Sequence, residues 1–422
     1  MKKVCVIGGG AAGMAAAMWA AEQGLAVHIF EQNEKLGKKL FITGKGRCNF
    51  TNACDTEELF SHVVTNPRFL FSAFHGWTSQ QTIDLFESLG VRTKVERGKR
   101  AFPASDHSSD IIRALEKKLR ELGVVIHLKT RVKEILFEEL PEPEKKQTKK
   151  VTGLLMTDGG KISCDAVVIA TGGLSYKTTG ATGDGYGFAE AAGHSVKQTR
   201  PALVPLVTEE EYVPLLQGLS LKNVTLTIPY GKKKKFQEFG EMLFTHYGIS
   251  GPLALSASSY IAPELEKGAL TATINLKAGL TEEQLDARLL REFDESKNRE
   301  FKNAVAPLFP SKLRPVMVKL SGIPENKPVN EVTREERARF VSLIRNLPVT
   351  ITGTRDYNEA IITQGGINVE EINPSTMESK FTKNLYAIGE VLDLDAVTGG
   401  FNLQIAWSTA KICAEALGGA EE

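Results

Sequence analysis

The first 31 residues constrain this chain more than any other stretch. Val4-Cys5-Val6-Ile7 is a short apolar run of the kind that forms a buried parallel strand. Gly8, Gly10 and Gly13 follow at once in G-x-G-x-x-G spacing. Residues 14–23 are rich in alanine and hold no helix breaker, and Gly24 offers a left-handed stop. Residues 25–30 form a second apolar strand, closed by Glu31, 18 residues after Gly13. Each part has a task in dinucleotide binding. One glycine permits a sharp turn, one lets a pyrophosphate approach the backbone, and one lets helix pack on strand. The helix N-terminus faces the phosphates and the acid accepts the ribose hydroxyls. The glycine pattern alone is weak evidence; the strand before, the helix after and the acid at this distance make it specific. The stretch also resembles a secretory signal or a membrane span, because residues 4–21 carry no charge. The glycines clustered inside it argue against both.

A chain of 422 residues is too long for one ordinary core, so two or three domains are expected. The formal charge is +1, with 24% charged and 42% hydrophobic residues, a globular composition with no bulk electrostatic case for nucleic acid or membrane. Neither partner is expected. The cysteines at 5, 48, 54, 164 and 413 form no C-x-x-C pair, and their odd number suits a reducing, cytoplasmic setting. No metal-ligand spacing is present, so no metal site is expected.

Behind Glu31 lies a glycine-rich basic loop, residues 37–52, whose backbone amides are free to meet anions. Its plainer reading is a solvated basic loop; its place behind the ribose acid favours a ligand. Residues 84–89 and 109–122 read as helices, the second with Ile111, Ile112, Leu115, Leu119 and Leu122 on one face. Residues 132–140 and 151–157 read as a hairpin with a long polar tip at 141–150, and 161–164 as a third short strand. Ala166-Val167-Val168-Ile169-Ala170-Thr171-Gly172-Gly173 is a buried strand ending in small residues, over which a nucleotide can lie. Asp184 is the expected N-cap of the next helix.

The character changes after His194. Alternating runs such as 224–228 and 270–274 predict half-buried antiparallel strands. Lys232 to Lys235 reads as a solvated hairpin tip; Thr281 starts a charged helical stretch, in which Glu283 completes no capping box but suits the first turn. Helical pattern then dominates to about Asn346. The last piece returns to the first domain: a strand at 386–390, a glycine loop, and a helix over 403–417 with Asn402 as N-cap. Its N-terminus would stabilise negative charge on the pyrimidine side of a reduced flavin.

The motifs VIGGGAAG, GKKLFITGKGRCNFTN, ATGG, TGDGYG, GEMLFTHYGISGP, TQGGI, TMESK and NLYAIGEVLDLDAVTGGFNLQIAWSTA run from the first strand to the last helix. Together they resemble the HI0933-like flavoprotein family, also labelled aminoacetone oxidase family FAD-binding enzymes. The resemblance implies an α/β protein: a Rossmann-like three-layer ββα FAD-binding domain over 1–194 and 357–422, with a β-barrel plus helical domain inserted. The β-rich part of the insert would span 195–280 and 347–356, and the helical part 281–346. Gly8, Gly10, Ala12 and Gly13 would meet the pyrophosphate, Glu31 the adenosine ribose, and Val132 the adenine. Lys39, Gly44, Arg47, Cys48 and Asn49 would line the flavin side. Gly172 would cross the middle, and Gly389, Glu390, Asn402, Leu403 and Gln404 would close the isoalloxazine end. Ala11, Gln32, Thr43, Gly46, Ala170 and Thr171, in or beside the same motifs, complete the candidate contacts.

One fingerprint and three further glycine-rich sheet ends suit one long resident ligand, FAD, with NAD(P)H at most a transient electron donor. The first expectation is therefore an FAD-dependent oxidoreductase acting on a small ketone, enone or amine bound between the flavin and the insert. The alternative is a non-redox FAD protein that binds RNA or a protein partner through the insert. His246, in a loop with two glycines and a proline, is the candidate general acid or base. Its plainer reading is a histidine that holds the loop. Arg47 is the alternative catalytic group, a fixed cation beside the flavin.

Overall fold

The computed structural model describes residues 1–419 apart from Lys145, Gly231 and Lys233. The chain divides into two compact units, residues 1–202 with 357–422 and residues 203–356.

Unit 1 is built on a five-stranded parallel sheet. Its order is Leu385–Ala387, Ala166–Ile169, β1 (Lys3–Ile7), β2 (Ala26–Phe30) and Val125–His127. The central runs are apolar throughout because helices or a second sheet cover both faces; Val4, Cys5 and Val6 are fully buried. α1 (Ala11–Glu22) packs against the C-terminal helix Phe401–Gly418. Its alanines let it be buried nearly all round, so it has no polar face to expose. An antiparallel layer of Val132–Glu144, Gln147–Met156 and Lys161–Ser163, joined by Thr382–Lys383, completes a three-layer ββα unit.

Unit 2 is a closed six-stranded antiparallel barrel. Leu206–Thr208, Gly248–Ser250, Lys234–Phe244, Ser220–Tyr230, Leu270–Asn275 and Leu347–Thr354 pair in that order, and the last returns to the first. The alternation of Ser220–Tyr230 is a barrel alternation, with Val224, Leu226 and Ile228 inside. Helices Glu282–Glu295, Arg314–Ser321 and Arg334–Arg345 do not form a body of their own. Phe340, Ile344 and Leu289 belong to the same hydrophobic core as Leu226 and Ile274 of the barrel. The α/β class with a barrel and helices inserted is thus present.

Several local expectations are corrected. The insertion begins at 203 rather than 195, because Val196–Ala202 pairs antiparallel with Ile362–Ile367 and stays in unit 1. The polar tip at 141–150 is largely strand: Val132–Glu144 and Gln147–Met156 run on to a Glu144–Gln147 pairing, with Lys145 outside the described residues. Asp184 is not an N-cap; Gly183, at φ +81°, holds that place, and Asp184 instead takes a bidentate bond from Arg131. The C-terminal helix starts at Phe401 with Gly400 as cap, which puts Asn402 inside its first turn. Glu283 lies in the first turn and completes no capping box, as expected; Gln284 closes the box on Thr281. The lysine-rich tip lies between Ser220–Tyr230 and Lys234–Phe244, with Lys233 outside the described residues.

Candidate dinucleotide site at the sheet edge

The carboxyl ends of three adjacent parallel strands carry the three glycine turns. Gly8 leaves β1 at φ +105°, and a Cβ there would lie 2.4 Å from the Ala170 carbonyl oxygen. A Cβ on Gly13 would lie 1.9 Å from the Gly8 carbonyl oxygen. These two glycines therefore serve close packing of strand, turn and helix. Gly10 differs: a Cβ there would meet no protein atom within 4 Å. The first bond of α1 runs from Met14 N to Gly10 O (2.9 Å), so the N–H groups of Ala11, Ala12 and Gly13 precede any intrahelical acceptor.

Glu31 is buried at the end of β2. Its Oε2 accepts from Gly9 N (2.8 Å), and its Oε1 accepts from Asn33 N (2.8 Å) and Asn33 Nδ2 (2.6 Å). The acid thus fixes the glycine turn. A carboxylate offers about four lone-pair sites, so one remains for a further donor. Gln32 donates to the Gly180 carbonyl (2.6 Å).

The loop behind β2 crosses to the third glycine turn. Lys39 Nζ lies 2.7 Å from Glu390 Oε2 and 2.7 Å from Ser175 Oγ. Glu390 Oε1 also accepts from Thr363 N (2.9 Å) and Ser175 Oγ (3.1 Å). Thr43 caps its own turn by donating to the Lys39 carbonyl (3.0 Å). Gly44, Lys45, Gly46 and Cys48 all have positive φ, so the loop turns tightly and carries Cys48 fully into the interior. Burial pushes the Cys48 thiol far up, which makes it an inert packing group.

Asn49 Oδ1 and the Thr171 hydroxyl are buried with no hydrogen-bond partner among the described residues. Buried polar groups are rarely left so. Gly172 (φ +70°) and Glu390 face each other, and Gly389 (φ +70°) lies against Ala12. Val132 is buried at the start of its strand, opposite Met156. Residues from the first 50, from 170–172 and from 389–390 are therefore brought together at one sheet edge. An open cradle at Gly10, two orphaned polar atoms and free helix N–H groups fit a dinucleotide such as FAD.

Three expected contacts have other work. Gln404 is fully buried, and its amide is taken up by Thr51, Thr82, Trp77 and Ser408. Asn402 ties its side chain to the backbone of Ala396 and Val397. What this turn still offers are the N–H groups of Phe401, Asn402 and Leu403, ahead of the first intrahelical bond from Gln404 N to Gly400 O. Arg47 is not a free cation. It pairs with Glu96 and Asp106, both 2.5 Å from Nη2, while Lys94 binds Asp106 (2.6 Å), and it lies over the Phe102 ring. Arg47 pulls the Glu96 carboxyl below its ordinary range; Lys94, then Arg47, does the same to Asp106.

Ser175 and Thr363 complete the Glu390 cluster without a sequence signal of their own, although Thr363 lies in the TQGGI motif. Asp395 likewise carries none. That carboxyl is fully buried, receives Gln364 Nε2 at 3.2 and 3.3 Å, and is raised by desolvation to about 6. His246 belongs to unit 2, exposed on the turn between Lys234–Phe244 and Gly248–Ser250, with its ring edge-on to Tyr247. Thr245, not His246, holds that turn, bonding Tyr247 N, Gly248 N and Gly248 O. His194 lies between Ser379 (2.7 Å) and Glu371 (3.3 Å), which has the order of a hydrolytic triad. Ser379 is 2% exposed, however, and its oxygen accepts from Phe381 N and Thr382 N, so the trio is a structural clamp. Among the described residues no three His, Cys, Asp or Glu side chains gather as a metal site, and no helix is long and apolar enough to cross a membrane.

Residues 2–416 match the family model described as "HI0933-like protein Rossmann domain". The chain is 30% identical over 419 residues to the 3-dehydro-bile acid delta(4,6)-reductase of Clostridium scindens, covering 99% of each chain. It is 32% identical over 413 residues to the ribosomal RNA dihydrouridine synthase of Escherichia coli, covering 98% of this chain and 97% of that one. The solved structure of the 3-ketosteroid-delta4-(5alpha)-dehydrogenase of Rhodococcus jostii RHA1 superposes with a TM-score of 0.52 at 12% identity, over 99% of this chain and 97% of that one. The 3-ketosteroid delta1-dehydrogenase of Sterolibacterium denitrificans gives 0.52 at 13% identity over all of both chains. At such identities these two likenesses speak for the fold.

Proposed function

The chain belongs to the HI0933-like protein family and is an FAD-dependent oxidoreductase, and we propose that it reduces a carbon–carbon double bond conjugated to a carbonyl, with electrons from NADH or NADPH. One observation carries this reading: two relatives that match along the whole chain are named for chemically parallel reductions. A 3-oxo steroid with unsaturation at positions 4 and 6 is a conjugated enone. Dihydrouridine arises when the double bond beside a uracil carbonyl is saturated. The ketone and amine expectations have no such support. Two acceptors fall in the class, a small enone and a uracil carried in RNA.

The net reaction adds a hydride to the β-carbon and a proton to the α-carbon of the acceptor. The nicotinamide donor gives up two electrons and leaves oxidised; the proton comes from solvent through an acid on the protein. Bound FAD supplies the two-electron relay between donor and acceptor. The chain's own residues hold it. The N–H groups of Ala11, Ala12 and Gly13 take the pyrophosphate over the open Gly10, and Glu31 uses its remaining lone pair on the ribose. The Lys39–Glu390 pair, with Gly172 and Asn49, borders the middle and flavin side. The N–H groups of Asn402 and Leu403 favour negative charge at the pyrimidine end. His246 is the proposed proton donor, since Arg47 is already paired with two carboxylates.

The test is anaerobic. NADPH should bleach the flavin absorbance, and a cyclic enone should restore it while the saturated ketone accumulates. Flavin restored by oxygen alone, with neither an enone nor uridine 5′-monophosphate reduced, would overturn the reading.

A further inference from the structure

The whole-chain charge of +1 hides a segregation within unit 2. Between Lys297 and Lys327 the sequence has seven basic residues and two acidic ones. The rest of the helical stretch, 281–296 and 328–346, reverses the balance with six basic and nine acidic residues. The basic segment folds around an open cleft of about 800 Å³ beside helix Arg314–Ser321. Pro315, Val318 and Ile323 give it an apolar floor, and Lys302, Arg314 and Lys319 border it.

Ion pairing differs between the two parts of the helical stretch. On the acidic side Arg337 binds Asp286 at 2.6 Å, and Lys327, at the end of the basic segment, reaches across to Glu336 at 2.8 Å. In the cleft, Arg314 is fixed at one point only, its Nε donating to the Phe309 carbonyl (3.0 Å). No other partner of its guanidinium is found among the described residues. Lys319 is exposed and likewise has none among them. Lys302 is shared between Asn326 (2.6 Å), Glu300 (3.2 Å) and Glu325 (3.9 Å). Glu325 is the one acid among the lining residues. Neither cation has a counter-charge among the described residues, and Arg314 is held in place by its backbone bond, so an anion entering the cleft would find both available. An apolar floor between them has room for a sugar and base, and the volume lies within the range of ligand clefts.

We propose that this cleft docks the phosphate backbone of RNA, with Arg314 and Lys319 each contacting a phosphate. The cleft carries no aromatic platform, so binding is electrostatic and independent of base sequence. The proposal rests on the reductase reading in one respect: a uracil acceptor would be carried on RNA.

Binding needs no turnover to be measured. The holoprotein is titrated into a fluorescein-labelled twelve-residue oligouridylate between 50 and 200 mM NaCl, concentrations chosen as typical of salt titrations. Wild type should bind with a steep salt dependence. Arg314→Ala/Lys319→Ala should weaken binding at least about tenfold and lower the slope of log affinity against log salt by about 1.4, two single-strand contacts at about 0.7 each. Arg314→Lys/Lys319→Arg keeps both charges and should stay within about twofold of wild type. Flavin content and circular dichroism show that each variant is folded. No binding by wild type, or an unchanged slope in the alanine variant, overturns the proposal. Equal displacement by uridine 5′-monophosphate would make the cleft a mononucleotide pocket, and equal displacement by a polyglutamate peptide would make it a protein-docking site; either overturns it. Enone reduction, measured alongside, bears on the reductase reading alone.

Discussion

Lys39 and Glu390 stand 351 positions apart in the chain, yet Nζ lies 2.8 Å from Oε1 and 2.7 Å from Oε2. The pair ties the loop behind β2 to the third glycine turn, and Ser175 and Thr363 complete the carboxylate's shell. Lys39→Met should therefore cost about 1–3 kcal/mol of stability in urea, the range for a charge-assisted hydrogen bond. A double-mutant cycle with Glu390→Gln should show coupling of about 1 kcal/mol or more. Additive losses would mean that the two side chains merely sit close.

Gly10 and Gly13 separate ligand space from packing space. Gly10→Val should leave the apoprotein folded, because its Cβ meets nothing in the protein, at the cost of about 0.5–2 kcal/mol for a poorer N-cap of α1. It should weaken FAD by about five- to 150-fold, through overpacking of about 1–3 kcal/mol against the pyrophosphate. Gly13→Val should fail earlier, at folding, because its Cβ would overlap the Gly8 carbonyl. Calorimetry of stripped protein and FAD titration give both readings. An FAD affinity unchanged in Gly10→Val would remove the pyrophosphate assignment.

Asp395 makes stability depend on mild acid. Its carboxyl is raised from the ordinary 3.8 to about 6 by desolvation. Between those values the folded protein holds a proton that the unfolded chain has lost, so stability falls as pH rises through the window. The contribution is full below pH 3.8 and gone above about 6. Asp395→Asn should thus be more stable than wild type at neutral pH by about 1–3 kcal/mol, and the gap should close towards pH 4. Urea titrations across that range, showing a constant gap, would place the proton elsewhere.

His246 and Arg47 separate by kinetics. His246→Gln should keep FAD, lower turnover by about 10²–10⁴-fold and remove one arm of the pH profile. Arg47→Gln should instead release Glu96 and Asp106, loosening the 44–48 turn and weakening FAD with no arm lost. Full turnover with an unchanged profile in His246→Gln would leave Thr245 and its neighbours as the whole story of that turn.

What could be read in the sequence was what local physics writes there. The parallel strands were legible because each is a continuous apolar run, and the glycine turns because their spacing has few other uses. The barrel strands announced themselves by alternation. Helix starts were misread at Asp184 and Asn402 for a common reason. Both residue types favour caps, but glycines at 183 and 400 took the left-handed positions. The polar side chains were then claimed by Arg131 and by Ala396. Distant partnerships left no trace. Nothing in residues 196–202 signals their pairing with 362–367, and nothing at Arg47 or Gln404 shows that neighbours already occupy them. Asp395 was hidden similarly, since burial of a carboxylate is decided by segments far from it.

The insertion joins unit 1 through two strands that are already hydrogen-bonded, Ala202 standing opposite Ile362. An excursion that departs and returns beside a two-stranded ladder of its own places no demand on the five-stranded parallel sheet. Its length and contents can drift over evolutionary time without shifting the register of a single nucleotide-binding strand. Lineages are then free to exchange this module while inheriting the cofactor unit intact. Sequence divergence among relatives should accordingly concentrate between residues 203 and 356, and chimaeras cut at those two points should be the ones that still bind flavin.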